Sequence, residues 1–270
     1  LILFLLFAYG FFYQISSSEF WPITISKTWF DLSNFEYSML QKPLFSLFLS
    51  LWHLIPLTDV FHIYIIKAIF TIFGILGLWV FAKFLLEISK LKQKKIYLGI
   101  LLITLVLSSP ILLTNFFRIR TDQITFLLFS SFLYYNYLKK FKASFVFLIL
   151  IPLVSVKGVL FLIPATYLLC VNYKDYLLKL KKIYKIYIVL VFLSVVVWAV
   201  GLNMHALTYL YDTYSNMVFP NLTLKYVLKT EFIFIFCSII SSVYFIVKSN
   251  KKFAPYAYVS FYFLIVTLAL

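Results

Sequence analysis

Residues 143–171 read ASFVFLILIPLVSVKGVLFLIPATYLLCV, and whether they form one helix or two decides how the whole chain is threaded. The only charge in the stretch is Lys157. It exceeds the roughly 20 residues that a membrane-spanning helix needs and falls short of two full ones, so length alone does not choose. The flanks do. Lys139, Lys140 and Lys142 precede it, and Lys174, Lys179, Lys181, Lys182 and Lys185 follow. Lysine and arginine collect on the cytoplasmic side of multi-pass membrane proteins. Both flanks then lie on one side, which requires two crossings that turn near Lys157-Gly158.

The composition justifies a membrane reading. The 270 residues are 64% hydrophobic and 12% charged, with a mean hydropathy of +1.00. A soluble domain is about 45–50% apolar and about 25% charged. So little charge cannot coat a water-facing surface, which excludes a soluble enzyme, a nucleic-acid-binding domain and a disordered chain. The 24 basic against 9 acidic residues, net +15, read as positive-inside bias rather than as a nucleic-acid footprint. Cys170 and Cys237 lie inside apolar runs and imply no disulfide framework.

Apolar runs predict an all-α, polytopic transmembrane bundle of nine spans: 1–16, 62–86, 96–117, 122–138, 143–156, 158–171, 186–202, 232–247 and 253–270. Two further lysine groups, Lys90, Lys92, Lys94 and Lys95, then Lys248, Lys251 and Lys252, join the two above; the four clusters hold 15 of the 24 basic residues. With all four inside, loops 17–61, 117–122, 157–158 and 203–231 face out and carry seven of the nine acids. Loop 17–61 contains the apolar stretch Leu44–Pro56, too short to span, which reads as an interfacial helix. Pro43 is suited to its first turn, where a missing N–H is no loss. No repeat or linker divides residues 1–270, which read as a single domain. A start at Leu1 and an end inside an apolar run at Leu270 suggest part of a longer protein, and Leu1–Phe12 reads as a retained helix rather than a cleaved leader.

Ionisable residues in or beside spans cost about 2.5–3.5 kcal/mol each at mid-helix and are functional candidates for that reason. Lys67 lies early in the second span, Arg118, Arg120 and Asp122 share one outside turn, and Lys157 tops a short hairpin. All fall towards the outer face, at the depth of a lipid phosphate. Each also has a plainer reading: Lys67 snorkels to the headgroups, the arginine turn is a solvated ion pair, and Lys157 anchors a helix end. His62 and His205 lack partners at metal-ligand spacing. There is no G-x-G-x-x-G, Walker or G-x-S-x-G motif.

The order of these features resembles the GT-C membrane glycosyltransferases, in the branch of protein O-mannosyltransferases and lipid A aminoarabinose transferases. That family has a span, an outer loop with an acidic motif, then a Lys-Pro-Pro-Leu-type segment leading an interfacial helix. Ser18-Glu19-Phe20 stands in the acidic slot and Gln41-Lys42-Pro43-Leu44-Phe45 in the second. Ile66-Lys67-Ala68, Arg118-Ile119-Arg120-Thr121-Asp122 and Val156-Lys157-Gly158-Val159 through Pro164 resemble its later motifs. The resemblance covers roughly residues 1–171. Ser18 replaces the family's usual first Asp, so the base is Glu19, Asp31 or Glu36.

The resemblance implies transfer of a sugar, with inversion, from a polyprenyl-phosphate donor to a lipid, protein or glycan acceptor. It implies donor binding by Lys42, Lys67, Arg118, Arg120, Asp122 and Lys157. It leaves open a divalent metal shared by Asp122. The Lys-, Ile-, Phe- and Asn-rich usage suggests a bacterial inner membrane, with the site facing out. A secondary transporter and a non-catalytic membrane subunit or degenerate transferase are the alternative classes.

Overall fold

The computed structural model describes residues 42–52, 54–56, 58–89, 96–97, 99–100, 119, 121–155, 158–215 and 254–269, with isolated positions between 236 and 247. Among the described residues there is no strand. The helices are α1 (Pro43–Trp52), α2 (Asp59–Ser89), α3 (Thr121–Tyr137), α4 (Phe141–Val154), α5 (Gly158–Lys179), α6 (Lys182–Ser215) and α7 (Ala254–Ala269). Among them one stretch, Phe61–Ile88 of α2, is long and apolar enough to cross a membrane, while α1 and α4 are apolar but shorter.

The 143–171 stretch is two helices. Helix α4 ends at Val154, Ser155 is extended, and the Gly158 N–H donates to the Ser155 carbonyl at 2.8 Å as α5 begins. The two run antiparallel, since Phe141 and Ser144 meet Tyr173 while Ile151 meets Gly158. A Cβ on Gly158 would stand 2.5 Å from the Ile151 carbonyl oxygen. Only glycine permits that backbone approach.

Neighbouring pairs extend the bundle. Helix α3 is antiparallel to α4: Tyr135 stacks on Phe147 at 5.5 Å near one end, and Thr121 Oγ1 donates to Ser155 Oγ at 3.3 Å at the other. Helices α2 and α3 run parallel. Gly77 lies against Phe126 and Leu127, and about three turns later Tyr137 OH donates to the Glu87 carbonyl at 3.1 Å. Small residues allow such close helix contacts. The expected crossing over 96–117 lies largely outside the described residues.

Helix α7 is antiparallel to α5 and repairs a defect in it. Pro164 has no N–H, so the Leu160 carbonyl one turn earlier loses its helical donor. Tyr262 OH donates to that carbonyl at 3.1 Å. The core between α2, α3, α4, α5 and α7 is apolar, built on Phe84, Phe132, Leu148, Ile151, Leu168 and Val259.

Four sequence boundaries move. Helix α1 stops at Trp52, short of the expected Pro56, and Leu54 and Ile55 instead donate back to Leu51 and Trp52 at 3.3 and 3.2 Å; the residue before a proline resists helical geometry. Helix α2 starts at Asp59, inside the expected loop 17–61. Helix α6 runs to Ser215, although 203–231 reads as a loop. Polar residues after 202 end the apolar run, but no Gly or Pro occurs between 203 and 215 to end a helix. At 1.5 Å per residue α6 is about 51 Å long. Helix α5 likewise continues past 171, bending at Tyr173 (φ −119, ψ 18).

Gly158→Ala is expected to lower unfolding stability by about 1–3 kcal/mol, the usual cost of overpacking. Gly201→Ala, where a Cβ meets nothing within 4 Å, should leave stability unchanged or slightly raised. Thermal unfolding of both variants in detergent micelles checks the pair.

Candidate functional site

The end of the bundle away from Lys139 and Lys140 is closed by one apolar cluster. Phe45 and Leu49 of α1, Ile66 and Phe70 of α2, Ile119, and Val154 of α4 are all buried within it. Phe70 is its hub: it packs edge-on to Phe45 at 5.7 Å and Phe48 at 5.9 Å, and meets Phe73 at 5.9 Å. Edge-to-face aromatic pairs add about 0.5–1.5 kcal/mol beyond their area.

Each cluster member stands close in sequence to a candidate cation. Phe45 follows Lys42, Ile66 precedes Lys67, Ile119 separates Arg118 from Arg120, and Val154 precedes Lys157. The fold therefore brings together four segments that are far apart along the chain.

Lys42 is half-buried and its carbonyl accepts the first helical hydrogen bond of α1, from Ser46 N–H at 2.9 Å. Pro43 takes the first helical position, as the sequence suggests. Lys67 is completely buried, at 0% exposure, and its carbonyl accepts Thr71 Oγ1–H at 2.8 Å. The snorkelling reading of Lys67 is thereby corrected: its neighbours Ile66 and Phe70 point into the packed cluster, and no part of the side chain reaches the surface. Asp122 is half-buried in the first turn of α3, where a carboxylate is favoured by the helix dipole. Glu19, Asp31, Glu36, Arg118, Arg120 and Lys157 lie outside the described residues.

Several polar groups at this end are not singled out by the sequence. His62 Nε2 bonds the Ile55 carbonyl at 2.9 Å and ties the start of α2 to the turn after α1. Gln123 (1% exposed) and Thr125 (4%) put polar side chains inside α3 just below Asp122. The Thr121–Ser155 bond locks α3 to the α4 terminus. Helical spacing alone gives no signal for these, because each takes its importance from a neighbour on another element. Among the described residues, no three His, Cys, Asp or Glu side chains converge as metal ligands.

No protein-family model, curated protein or solved structure matches the chain.

Phe70→Ala should cost about 3–5 kcal/mol, because it opens a cavity under all four segments. Leu51→Ala, on the exposed side of α1 at 48% exposure, should stay within about 0.5 kcal/mol. Denaturation midpoints in micelles distinguish them.

Proposed function

We propose that this chain is a multi-pass membrane protein of the GT-C type that transfers a sugar from a polyprenyl-phosphate donor to an acceptor at the outer face of a bacterial inner membrane. The observation that carries the reading is the cluster of Phe45, Ile66, Phe70, Ile119 and Val154, which gathers the segments bearing Lys42, Lys67, Arg118, Arg120, Asp122 and Lys157. A donor phosphate becomes more negative as the sugar leaves. Cations held in a water-poor site stabilise that charge more strongly than they would in water.

In this scheme a loop carboxylate, Glu19 first and Asp31 or Glu36 otherwise, removes the proton from the acceptor hydroxyl as its oxygen attacks the anomeric carbon. Arg118, Arg120 and Lys157 bind the departing phosphate. Lys67, which is fully buried, adds a further positive charge. Asp122 orients an arginine. Attack opposite the phosphate inverts the anomeric centre. Helix α1, with Leu51 outward and Phe45 inward, guides the lipid carrier. The remaining spans of the nine complete the bundle.

Purified protein incubated with radiolabelled polyprenyl-phosphate sugars tests the proposal. Glu19→Gln is expected to reduce transfer by about 10²–10⁴-fold, the usual contribution of a general base, with donor binding retained. Arg120→Ala should weaken donor binding and turnover together. Lys67→Met, which keeps the volume and deletes the charge, should lower turnover. Vesicle uptake of substrate with no sugar transfer would instead assign a transporter.

A further inference from the structure

Helix α5 breaks at Tyr173 (φ −119, ψ 18), and its own sequence gives no cause. Sharp helix kinks come from proline, from glycine or serine pairs, from a π-bulge, or from a side chain that enters the backbone hydrogen-bond ladder. Residues 169–176 read LCVNYKDY, with no Pro, Gly or Ser, and no π-turn lies there. Pro164 disturbs the Leu160 carbonyl, far from the break.

A side chain does enter the ladder. In an unbroken helix the Asn172 carbonyl accepts from the Tyr176 N–H. Here Lys139 Nζ donates to that carbonyl at 2.9 Å and to Asn172 Oδ1 at 3.4 Å. The same amine stands 5.8 Å from the centre of the Tyr173 ring, within cation–π reach.

The lysine reaches across from the turn between α3 and α4. Lys139 N–H donates to the Asn136 carbonyl at 3.1 Å and Lys140 N–H to the Tyr135 carbonyl at 3.0 Å. This is the paired bonding of a Schellman helix stop, whose left-handed position is normally glycine. Lys139 fills it at φ 59.

The two sides of the break are held differently. Asn172 is fixed to the bundle, because its Nδ2 donates to Asn136 Oδ1 on α3 and to Tyr256 OH on α7, the latter at 3.2 Å. Beyond the break, Lys185 Nζ donates to the Leu178 carbonyl at 2.8 Å, which ties the last turns of α5 to the first turn of α6. The bend therefore sets the direction in which α5 hands over to α6.

We infer that the Lys139 ammonium is a helix breaker acting from another element: by taking the Asn172 carbonyl it bends α5, and through the bend it orients the start of α6. The contact is exposed, so water competes for the amine. Helix α5 then exchanges between a bent state with the amine in place and a straighter state without it. The inference rests on neither the bilayer nor sugar transfer. Its rival is the docking of Tyr173 itself, whose ring meets Phe141 at 5.1 Å and whose OH stands 3.4 Å from Ser144 Oγ.

The test measures a distance across the break in the full chain in detergent micelles. Nitroxides are placed through Val146→Cys and Leu178→Cys, at positions 53% and 64% exposed, in a Cys170→Ser/Cys237→Ser background, and read by double electron–electron resonance. A kink of about 20° acting over the roughly 7.5 Å from Tyr173 to Leu178 displaces the second label by about 3 Å. Lys139→Met keeps a side chain at φ 59 and removes the donors, whereas Lys139→Gly removes them and relaxes the turn. Both are expected to move the modal distance by about 3 Å or more. Lys140→Met deletes an equal charge whose amine lies over the Tyr135 ring at 5.6 Å, and should leave the distance unchanged. An unchanged distance in either folded Lys139 variant would overturn the inference and assign the bend to Tyr173. Equal movement in Lys140→Met would trace to a loosened turn and would overturn it as well. If one Lys139 variant fails to fold, the other decides.

Discussion

One apolar contact set, Phe45 with Ile66, Phe70, Ile119 and Val154, determines what one end of this bundle can do. Charged side chains cannot assemble themselves, because cations repel one another. Several can share a small region only if something else holds their backbones there. Here the work is done by neighbouring apolar residues, each one to three positions from a lysine or arginine. The burial of these residues is worth about 1.5–3 kcal/mol each relative to exposure, and it fixes the backbone at this end. The polar residues are passengers on an apolar frame.

The same economy governs the backbone. Where α4 hands over to α5, Gly158 allows a carbonyl approach that any side chain would block. Where Pro164 leaves the Leu160 carbonyl without its helical donor, Tyr262 from α7 supplies one. Where Asn136 is buried, Asn172 and Tyr256 satisfy its oxygen. A buried donor or acceptor left unsatisfied costs about 1–3 kcal/mol, so these substitutions of one donor for another stabilise the fold. They also fix the relative height of α3, α5 and α7, since a hydrogen bond specifies register where apolar contact does not.

The hairpin over 143–171 was legible because lysine clusters flank it, and charge is read from sequence without knowing any contact. Pro43 was legible as a helix start for a similar reason: its chemistry is local. The extension of α6 to Ser215 was not, because hydropathy reports where lipid would end and says nothing about where a helix must. Lys67 was identified as a candidate, but its complete burial was hidden, since that depends on α1 packing over α2. The Lys139 turn was invisible altogether. Nothing in Tyr-Leu-Lys-Lys announces a left-handed lysine at φ 59 whose amine reaches the Asn172 carbonyl on another helix.

Lysines therefore occupy two kinds of place. Those at Lys139, Lys140 and Lys142 are exposed and keep access to water, so their charge costs little. Lys67 is different, because all of its surface is lost. A buried ion is commonly no more stabilising than a well-packed apolar residue of the same volume, and often less. Methionine or leucine would fill the space between Ile66 and Phe70 without desolvating an ammonium. In the proposed reaction a buried positive charge has a use if an anion enters this end, and this makes Lys67 the residue that most directly ties the packing of this end to that chemistry.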